Sequence, residues 1–423
     1  VMPLTHAGET WSWPVRDLPP TGRHAIVVGG SIAGLATAAM LRRIGWQVTV
    51  CERSNAELTG RGAGIFATHP ELLEALSRCG ADTGGLGVLS HGRVVLDRAG
   101  GVVARRGMVQ LVTSWDRLQG VLADAAGREV VQYGHELTGL DSDGNGVAAE
   151  FSNGRRLRAD VLVGCDGWLS SVRTLTGFEA VPEYSGYFLW RGAPDELRLS
   201  DHTRSSIFDT YSFYVGTHLQ ALGYPIPGGR HGLDPGSRRY NFAWFRLADA
   251  DQLGEMLVDK AGVHHEFSVP PPHVRRDLID GMRADAGELL PPHVDCVDQI
   301  DQPFFTPIYD VMPDRMSSGR VAFVGDAAAT VRPHAGFGAS KAASEALALA
   351  ECLGEVDEVG EALALYERRR LPVARKAVAH GRLLGAQLGS RLETAEEVAM
   401  HRTLQDPQEL MGRIAVPNFL ARV

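Results

Sequence analysis

Ala25-Ile26-Val27-Val28-Gly29-Gly30-Ser31-Ile32-Ala33-Gly34 is the stretch on which the fold turns. The apolar run 25–28 has the length and composition of a strand buried on both faces of a parallel sheet. Gly29-Gly30 breaks it. From there Ile32, Leu35, Ala36, Ala39 and Met40 recur at helical spacing toward Ile44. Val48-Thr49-Val50 is a second apolar strand, and Glu52 stands at its end. Strand, glycine turn, helix and strand within about 30 residues make one βαβ unit.

That spacing predicts a dinucleotide site. Gly29 permits the tight turn, a small Ser31 lets backbone approach a pyrophosphate, and Gly34 lets the helix pack close to the strand. Ser31 stands where the middle glycine of the usual pattern would be. Ile32 and Ala33 fall in the first helical turn, whose free N–H groups and positive dipole end suit a diphosphate. Glu52, 18 residues after Gly34, is spaced to accept ribose hydroxyls.

Composition narrows the rest. The chain has 423 residues, 44% hydrophobic and 22% charged, the make-up of an ordinary soluble protein of two or three domains. Its net charge of −9 argues against a nucleic-acid partner, because phosphate neutralisation needs clustered cations. No polybasic segment marks a membrane surface. Ala25–Leu41 is uncharged, yet it stops short of a span of about 18 apolar residues and carries three glycines. The first 24 residues hold no apolar run and four prolines, which reads as an N-terminal arm and not a signal peptide. Cys51, Cys79, Cys165, Cys296 and Cys352 are irregularly spaced, as expected of reduced thiols in a cytoplasmic protein. No metal site is expected, His264-His265 having no supporting acid or Cys pattern. The expected partners are small molecules, with the chain a monomer or homodimer.

The fold class expected is α/β: a Rossmann-like domain with a parallel sheet, an inserted antiparallel β-sheet domain, and C-terminal helices. The boundaries read as an arm at 1–24, a discontinuous dinucleotide domain at 25–182 and 300–385, a substrate domain at 183–299, and a helical segment at 386–423. The hairpin signal Ala99-Gly100-Gly101 inside 91–113 allows that stretch to join the substrate sheet. Residues 183–250 are rich in aromatics, including Trp190, Tyr211, Tyr224 and Trp244.

Two further motifs follow apolar strands. Gly164-Cys165-Asp166-Gly167-Trp168 comes after 161–163; Asp166 reads equally well as a helix cap. Gly325-Asp326-Ala327-Ala328 comes after 321–324, and is followed by Arg332-Pro333-His334-Ala335-Gly336-Phe337-Gly338-Ala339-Ser340. Asp326 ends a strand at the carboxyl edge of the sheet, where ligands bind. Gly336 and Gly338 open a helix whose N-terminus can hold an anion.

Three motifs in this order resemble the single-component FAD-dependent aromatic hydroxylases, the class of para-hydroxybenzoate hydroxylase, over residues 24–385. Gly186–Gly192, Tyr224–Gly228 and Arg332–Ala335 are most similar to the branch of 2,6-dihydroxypyridine 3-hydroxylase and related heterocycle hydroxylases. The resemblance implies FAD as cofactor, NADPH or NADH as co-substrate, O2, and a small aromatic substrate. In that family reduced nicotinamide gives a hydride to FAD, and a flavin C4a-hydroperoxide then hydroxylates an electron-rich ring. By resemblance Ser31, Ile32 and Ala33 lie near the diphosphate, Glu52 and Arg53 bind the adenosine ribose, and Gly62 and Ala63 lie beside the flavin ring. Arg117 touches the ribityl–diphosphate region, Asp166 serves flavin and nicotinamide, and Asp326 holds a ribityl hydroxyl. Gly336, Phe337, Gly338, Ala339 and Ser340 form the flavin-facing loop and helix start. Ser340 departs from the Asn common in the family, and the 62–70 loop is one residue longer than usual.

For the substrate, Trp190, Tyr211 and His69 are candidate wall residues. Tyr224, Arg191 and His334 are candidates to activate a ring hydroxyl, by proton transfer or by a positive charge. Each also reads as a packing aromatic, a sheet cation or an ordinary histidine. A second glycine-rich βαβ unit is missing, which disfavours an enzyme with a separate nicotinamide domain. No Trp-x-Trp-x-Ile-Pro stretch supports a flavin halogenase. A catalytically silent FAD protein that shields an aromatic ligand is the alternative of a different class, since the motifs report binding and not turnover.

Overall fold

The computed structural model describes residues 21–59, 64–178, 180–312, 314–417 and 420. Residues 1–20 of the N-terminal arm, and Gly62 and Ala63, lie outside the described residues.

The βαβ unit forms as its sequence dictates. Strand His24–Val28 lies between Gln47–Glu52 and Val161–Gly164 and is parallel to both. Val321–Phe323 and Val131–Tyr133 extend the parallel array, and Ser317–Ser318 closes one edge antiparallel. Val28, Glu52, Gly164 and Phe323 therefore finish along one edge, and the three glycine–acid motifs leave the sheet side by side. Helix Ile32–Arg43 packs on Gly338–Glu355 and Trp115–Ala126. Buried alanines at 36, 38, 39, 343, 346 and 350 let these backbones approach. The uncharged segment 25–41 is thus strand, turn and helix. Among the described residues no helix is long and apolar enough to cross a membrane.

A second sheet has seven strands in the order Phe304–Asp310, Glu183–Gly192, Arg239–Leu247, Leu219–Ile226, Tyr211–Gly216, Arg93–Leu96, Val102–Arg106. The 93–106 hairpin lies at one edge, joined through a parallel pairing of Arg93–Leu96 with Tyr211–Tyr214. Phe304–Asp310 at the other edge carries the sheet past residue 299.

Strand alternation decides which side chains reach the other domain. Along Glu183–Gly192, Phe188 and Trp190 enter one core with Phe305, Ile279, Met282 and Ala286, beneath helix Arg276–Leu289. Tyr187 and Leu189 enter a different core with Phe66, Phe337 and Ala415. The C-terminal helices Ala395–Thr403 and Pro407–Arg413 close this second face. Buried Arg93 caps the last of them, donating to the carbonyls of Met411 (2.7 Å), Ile414 (2.5 Å) and Ala415 (2.8 Å). A cation suits the negative end of a helix. All five cysteines are buried free thiols, and no cluster able to hold a metal ion occurs among the described residues.

Candidate active site

A cavity of about 670 Å³ runs from the glycine turn to the seven-stranded sheet. At its nucleotide end, Ser31 takes the N-cap position of helix Ile32–Arg43, yet its hydroxyl makes no cap bond. The first-turn N–H groups therefore face the cavity, which Ser31, Ile32 and Ala33 line. A Cβ on Gly29 would sit 2.4 Å from the Cys165 carbonyl oxygen, and one on Gly34 would sit 1.8 Å from the Gly29 oxygen. Only glycine allows this packing. Glu52 accepts the Gly30 amide on Oε2 (2.7 Å) and the Ser54 amide on Oε1 (2.8 Å). Each oxygen keeps a second lone pair for a hydroxyl, and Glu52 and Arg53 line the cavity.

Asp166 does two jobs. It accepts the Ser170 hydroxyl (2.6 Å) and the Val172 amide (3.1 Å), bracing short helix Ser171–Leu175, and it also lines the cavity. Burial pushes its carboxyl up in proton affinity, against those hydrogen bonds. Arg173 ties the two acidic turns together through the carbonyls of Trp168 (2.6 Å) and Ala327 (3.0 Å). Asp326 opens into the cavity. The loop beyond it turns at Gly336, in the left-handed region at φ +61°, where a Cβ would come within 2.9 Å of Ala415 and Phe66. Gly336, Phe337, Gly338 and Ala339 line the cavity, and helix Gly338–Glu355 starts there with no side-chain cap. Ser340 is fully buried behind that start.

At the far end, the seven-stranded sheet supplies Arg191, Tyr211, Tyr224 and Asn241 among apolar Leu189, Leu222, Ala243 and Phe245. Arg191 lies deep in the protein but keeps part of its surface on the cavity. Among the described residues nothing accepts a hydrogen bond from its guanidinium or pairs with its charge. Burial lowers its proton affinity and Tyr224 opposes that. Tyr224 lies 4.8 Å from the Phe66 ring. Burial holds its phenol well above the ordinary range despite Arg191, so its hydroxyl keeps its proton in this cavity. Tyr211 stacks over buried Arg93 at 4.9 Å.

Asn241 was not singled out from sequence, although it is the one amide in the aromatic run 240–245. Its Oδ1 accepts the Gly64 amide (2.8 Å), and its Nδ2 has no acceptor among the described residues. Gly64 in turn admits Tyr224: a Cβ there would lie 2.4 Å from the Tyr224 ring. Gly64→Ala is therefore expected to displace the Tyr224 ring by about 1 Å and to weaken a small aromatic ligand held at this end of the cavity by about tenfold, read as its dissociation constant. Unchanged ligand affinity in that variant would refute the contact's importance.

Four expectations need correction. Trp190 faces the other core, 5.4 Å from Phe305, because neighbouring strand residues point to opposite faces; Leu189 and Arg191 take the cavity side. His334 is buried behind the loop, its Nε2 3.1 Å from the Tyr187 hydroxyl and its ring stacked on Phe245 at 4.2 Å. Burial and Arg332 push it down to about 3, so it stays neutral and does not line the cavity. His69 is buried against Phe337 at 5.3 Å and also lies outside the cavity wall. Arg117 donates to the carbonyls of Gly84 (2.6 Å) and Gly85 (3.0 Å), and the helix presents Trp115 to the cavity in its place.

A FAD binding domain model matches residues 23–212 and 293–380, and a FAD binding domain-like model matches 184–310. The cavity fits that cofactor, with an uncapped helix start, the carboxylate of Glu52 and the acid of Asp326 along its wall. The chain belongs to the FAD-dependent monooxygenase family with this FAD binding domain. It is 34% identical to 2,6-dihydroxypyridine 3-monooxygenase of Paenarthrobacter nicotinovorans, across 84% of this chain and 88% of that one. It is 30% identical to aurachin C monooxygenase/isomerase of Stigmatella aurantiaca, across 87% and 90%. The structure of 2,6-dihydroxypyridine-3-hydroxylase from Arthrobacter nicotinovorans superposes with a TM-score of 0.81 at 32% identity, covering 89% of this chain and 95% of that one.

Proposed function

We propose that this monooxygenase hydroxylates a planar, electron-rich N-heterocyclic or aromatic small molecule, using NAD(P)H and O2, with the substrate's ring oxygen held by Arg191, Tyr224 and Asn241. One observation carries the reading. The sheet end of the cavity offers hydrogen-bond donors without a carboxylate, and its cation has no partner in the described chain. A guanidinium set deep in the protein with no carboxylate beside it is costly, so the site is built for a ligand that supplies acceptor oxygen or negative charge.

FAD, when bound, supplies the redox chemistry that takes a hydride from NAD(P)H and passes one oxygen atom of O2 to the ring. Ser31, Ile32 and Ala33 hold the diphosphate at the helix start, Glu52 with Arg53 the ribose, and Asp326 a ribityl hydroxyl. Phe337 through Ala339 face the isoalloxazine. The bidentate Arg191 fork and the Tyr224 hydroxyl stabilise oxyanion character on the ring, raising its electron density where oxygen arrives. Apolar Leu189, Leu222, Phe66 and Phe245 exclude water from that end.

The test is a panel of hydroxylated pyridines, purines and benzoates given to the purified protein. The expected result is a yellow protein that releases its flavin on acid precipitation and oxidises NAD(P)H faster with at least one ring, which gains one oxygen atom. Acceleration by none of them, or acceleration without oxygen incorporation, would overturn the proposal.

A further inference from the structure

Behind the Gly325-Asp326 turn lies a buried ion pair for which flavin binding as described so far has no use. Lys341 and Glu345 stand one turn apart in helix Gly338–Glu355, both fully buried, with Nζ 3.0 Å from Oε1. The pair grips both backbone polar groups of Gly325. Lys341 Nζ donates to the Gly325 carbonyl (2.8 Å), and the Gly325 amide donates to Glu345 Oε2 (2.8 Å). Gly325 is in the left-handed region at φ +71°, and a Cβ on it would lie 2.8 Å from Ala33. The turn thus abuts the helix start proposed to hold the diphosphate. The residue after Gly325 is Asp326, open to the cavity.

Stability alone does not account for this pair. A buried salt bridge is commonly no more stabilising than apolar side chains of the same volume, and the neighbouring helix positions Ala342, Ala343 and Ala346 are buried and apolar. A neighbouring helix face of that kind would pack well without charge.

We propose that Lys341 is a positioning residue for FAD: it fixes the Gly325-Asp326 turn and acts on the cofactor through the Asp326 carboxylate. This rests on Asp326 being a partner of FAD, as proposed above. The electrostatics agree with the geometry. Burial raises the proton affinity of Asp326, Lys341 lowers it and Glu345 raises it, and these are the two charged groups that act on it. Lys341 offsets part of the burial cost and so favours the ionised carboxylate, whose hydrogen bonds to a hydroxyl are the stronger kind. Without it, Asp326 takes up a proton at higher pH, so flavin affinity is lost as pH falls through the raised value.

The experiment measures FAD dissociation constants by flavin fluorescence for the wild type, Lys341→Met, Lys341→Gln, Asp326→Asn and the Lys341→Met/Asp326→Asn double variant, from about pH 6 to 9. Circular dichroism checks folding. Lys341→Met is expected to weaken FAD about tenfold at neutral pH, with the loss growing as pH falls. Asp326→Asn is expected to weaken it by a similar factor with no added pH dependence. The double variant is expected to match Asp326→Asn alone. Lys341→Gln keeps a donor for Gly325 without the charge. It should show the pH dependence with a smaller loss, and it carries the test if the methionine variant does not fold. Additive losses in the double variant, or a Lys341→Gln profile parallel to that of the wild type, overturn the proposal. Wild-type affinity in Asp326→Asn would instead overturn the role of Asp326.

Discussion

Arg191→Ala is expected to lower hydroxylation about 10²–10³-fold while NAD(P)H still reduces the flavin at close to the wild-type rate. Reduction depends on how nicotinamide meets flavin and not on the charge of the substrate's ring oxygen. Oxygen transfer depends on the electron density of the ring, which rises when a ring hydroxyl ionises. The ring gives up electron density as it attacks the incoming oxygen, so the guanidinium acts before that step, by favouring the ionised ring, and deep in the protein it does so with little screening. The reducing equivalents must then leave as hydrogen peroxide, so coupling falls together with hydroxylation. Lys in place of Arg191 restores charge without the planar fork and is expected to recover part of the rate. Stopped-flow absorbance separates the two half-reactions, and a peroxide assay measures coupling. Wild-type coupling in Arg191→Ala would move the activating role to Tyr224 and Asn241.

The convergence of residues at the glycine-turn end of the cavity was legible in the sequence because its physics is local. Gly29, Ser31, Gly34 and Glu52 lie within one βαβ unit, and where such residues come to lie follows from backbone conformation and strand order. Asp166 and Asp326 were legible for a related reason. Each ends an apolar strand, and parallel strands finish on one edge, so the acids had to converge. The substrate half is different. Trp190 and Arg191 are neighbours in one strand, and which faces the cavity depends on which sheet face the other domain covers. That is a tertiary fact. With helix Arg276–Leu289 over one face, Trp190 goes to the core and Arg191 to the cavity. His334 and His69 misled for the complementary reason. Both sit within three residues of cavity-lining positions, Pro333 and Phe66, but a short turn at Pro333–Ala335 and the helix start at Pro70 send them inward. Asn241 had a visible signal, an amide amid aromatics in a strand. Lys341 and Glu345 had one as well: two opposite charges, one helical turn apart, in a helix rich in alanine and leucine. An alanine-rich helix is buried on most of its surface, and a charge there needs a partner.

Gly34→Ala is expected to yield a folded protein that has lost its colour. Helix propensity favours the change by up to about 1 kcal/mol, and Gly34 lies within helix Ile32–Arg43 as its third residue, so propensity alone predicts stabilisation. Sterics decide otherwise. The new Cβ would lie 1.8 Å from the Gly29 carbonyl oxygen and 3.4 Å from Val27 Cγ1. Neither the buried strand nor its turn can yield by more than about 1 Å without loss of packing, so helix Ile32–Arg43 must lift away from the sheet. Its first-turn N–H groups then leave the position of the diphosphate. Losing two charge-assisted hydrogen bonds, at about 1.5–3 kcal/mol each, weakens FAD by about 10²–10⁴-fold. Gly120→Ala is the control. Gly120 is also interior to a helix, Trp115–Ala126, but nothing lies nearer to its added Cβ than Arg128 Nη2 at 4.0 Å. It should gain stability and keep its flavin. Visible absorbance of the purified variants, together with their thermal midpoints, distinguishes the two positions. A yellow Gly34→Ala protein with wild-type FAD affinity would show that the helix start can move without releasing the cofactor, and the placement of the diphosphate at Ser31–Ala33 would fall with it.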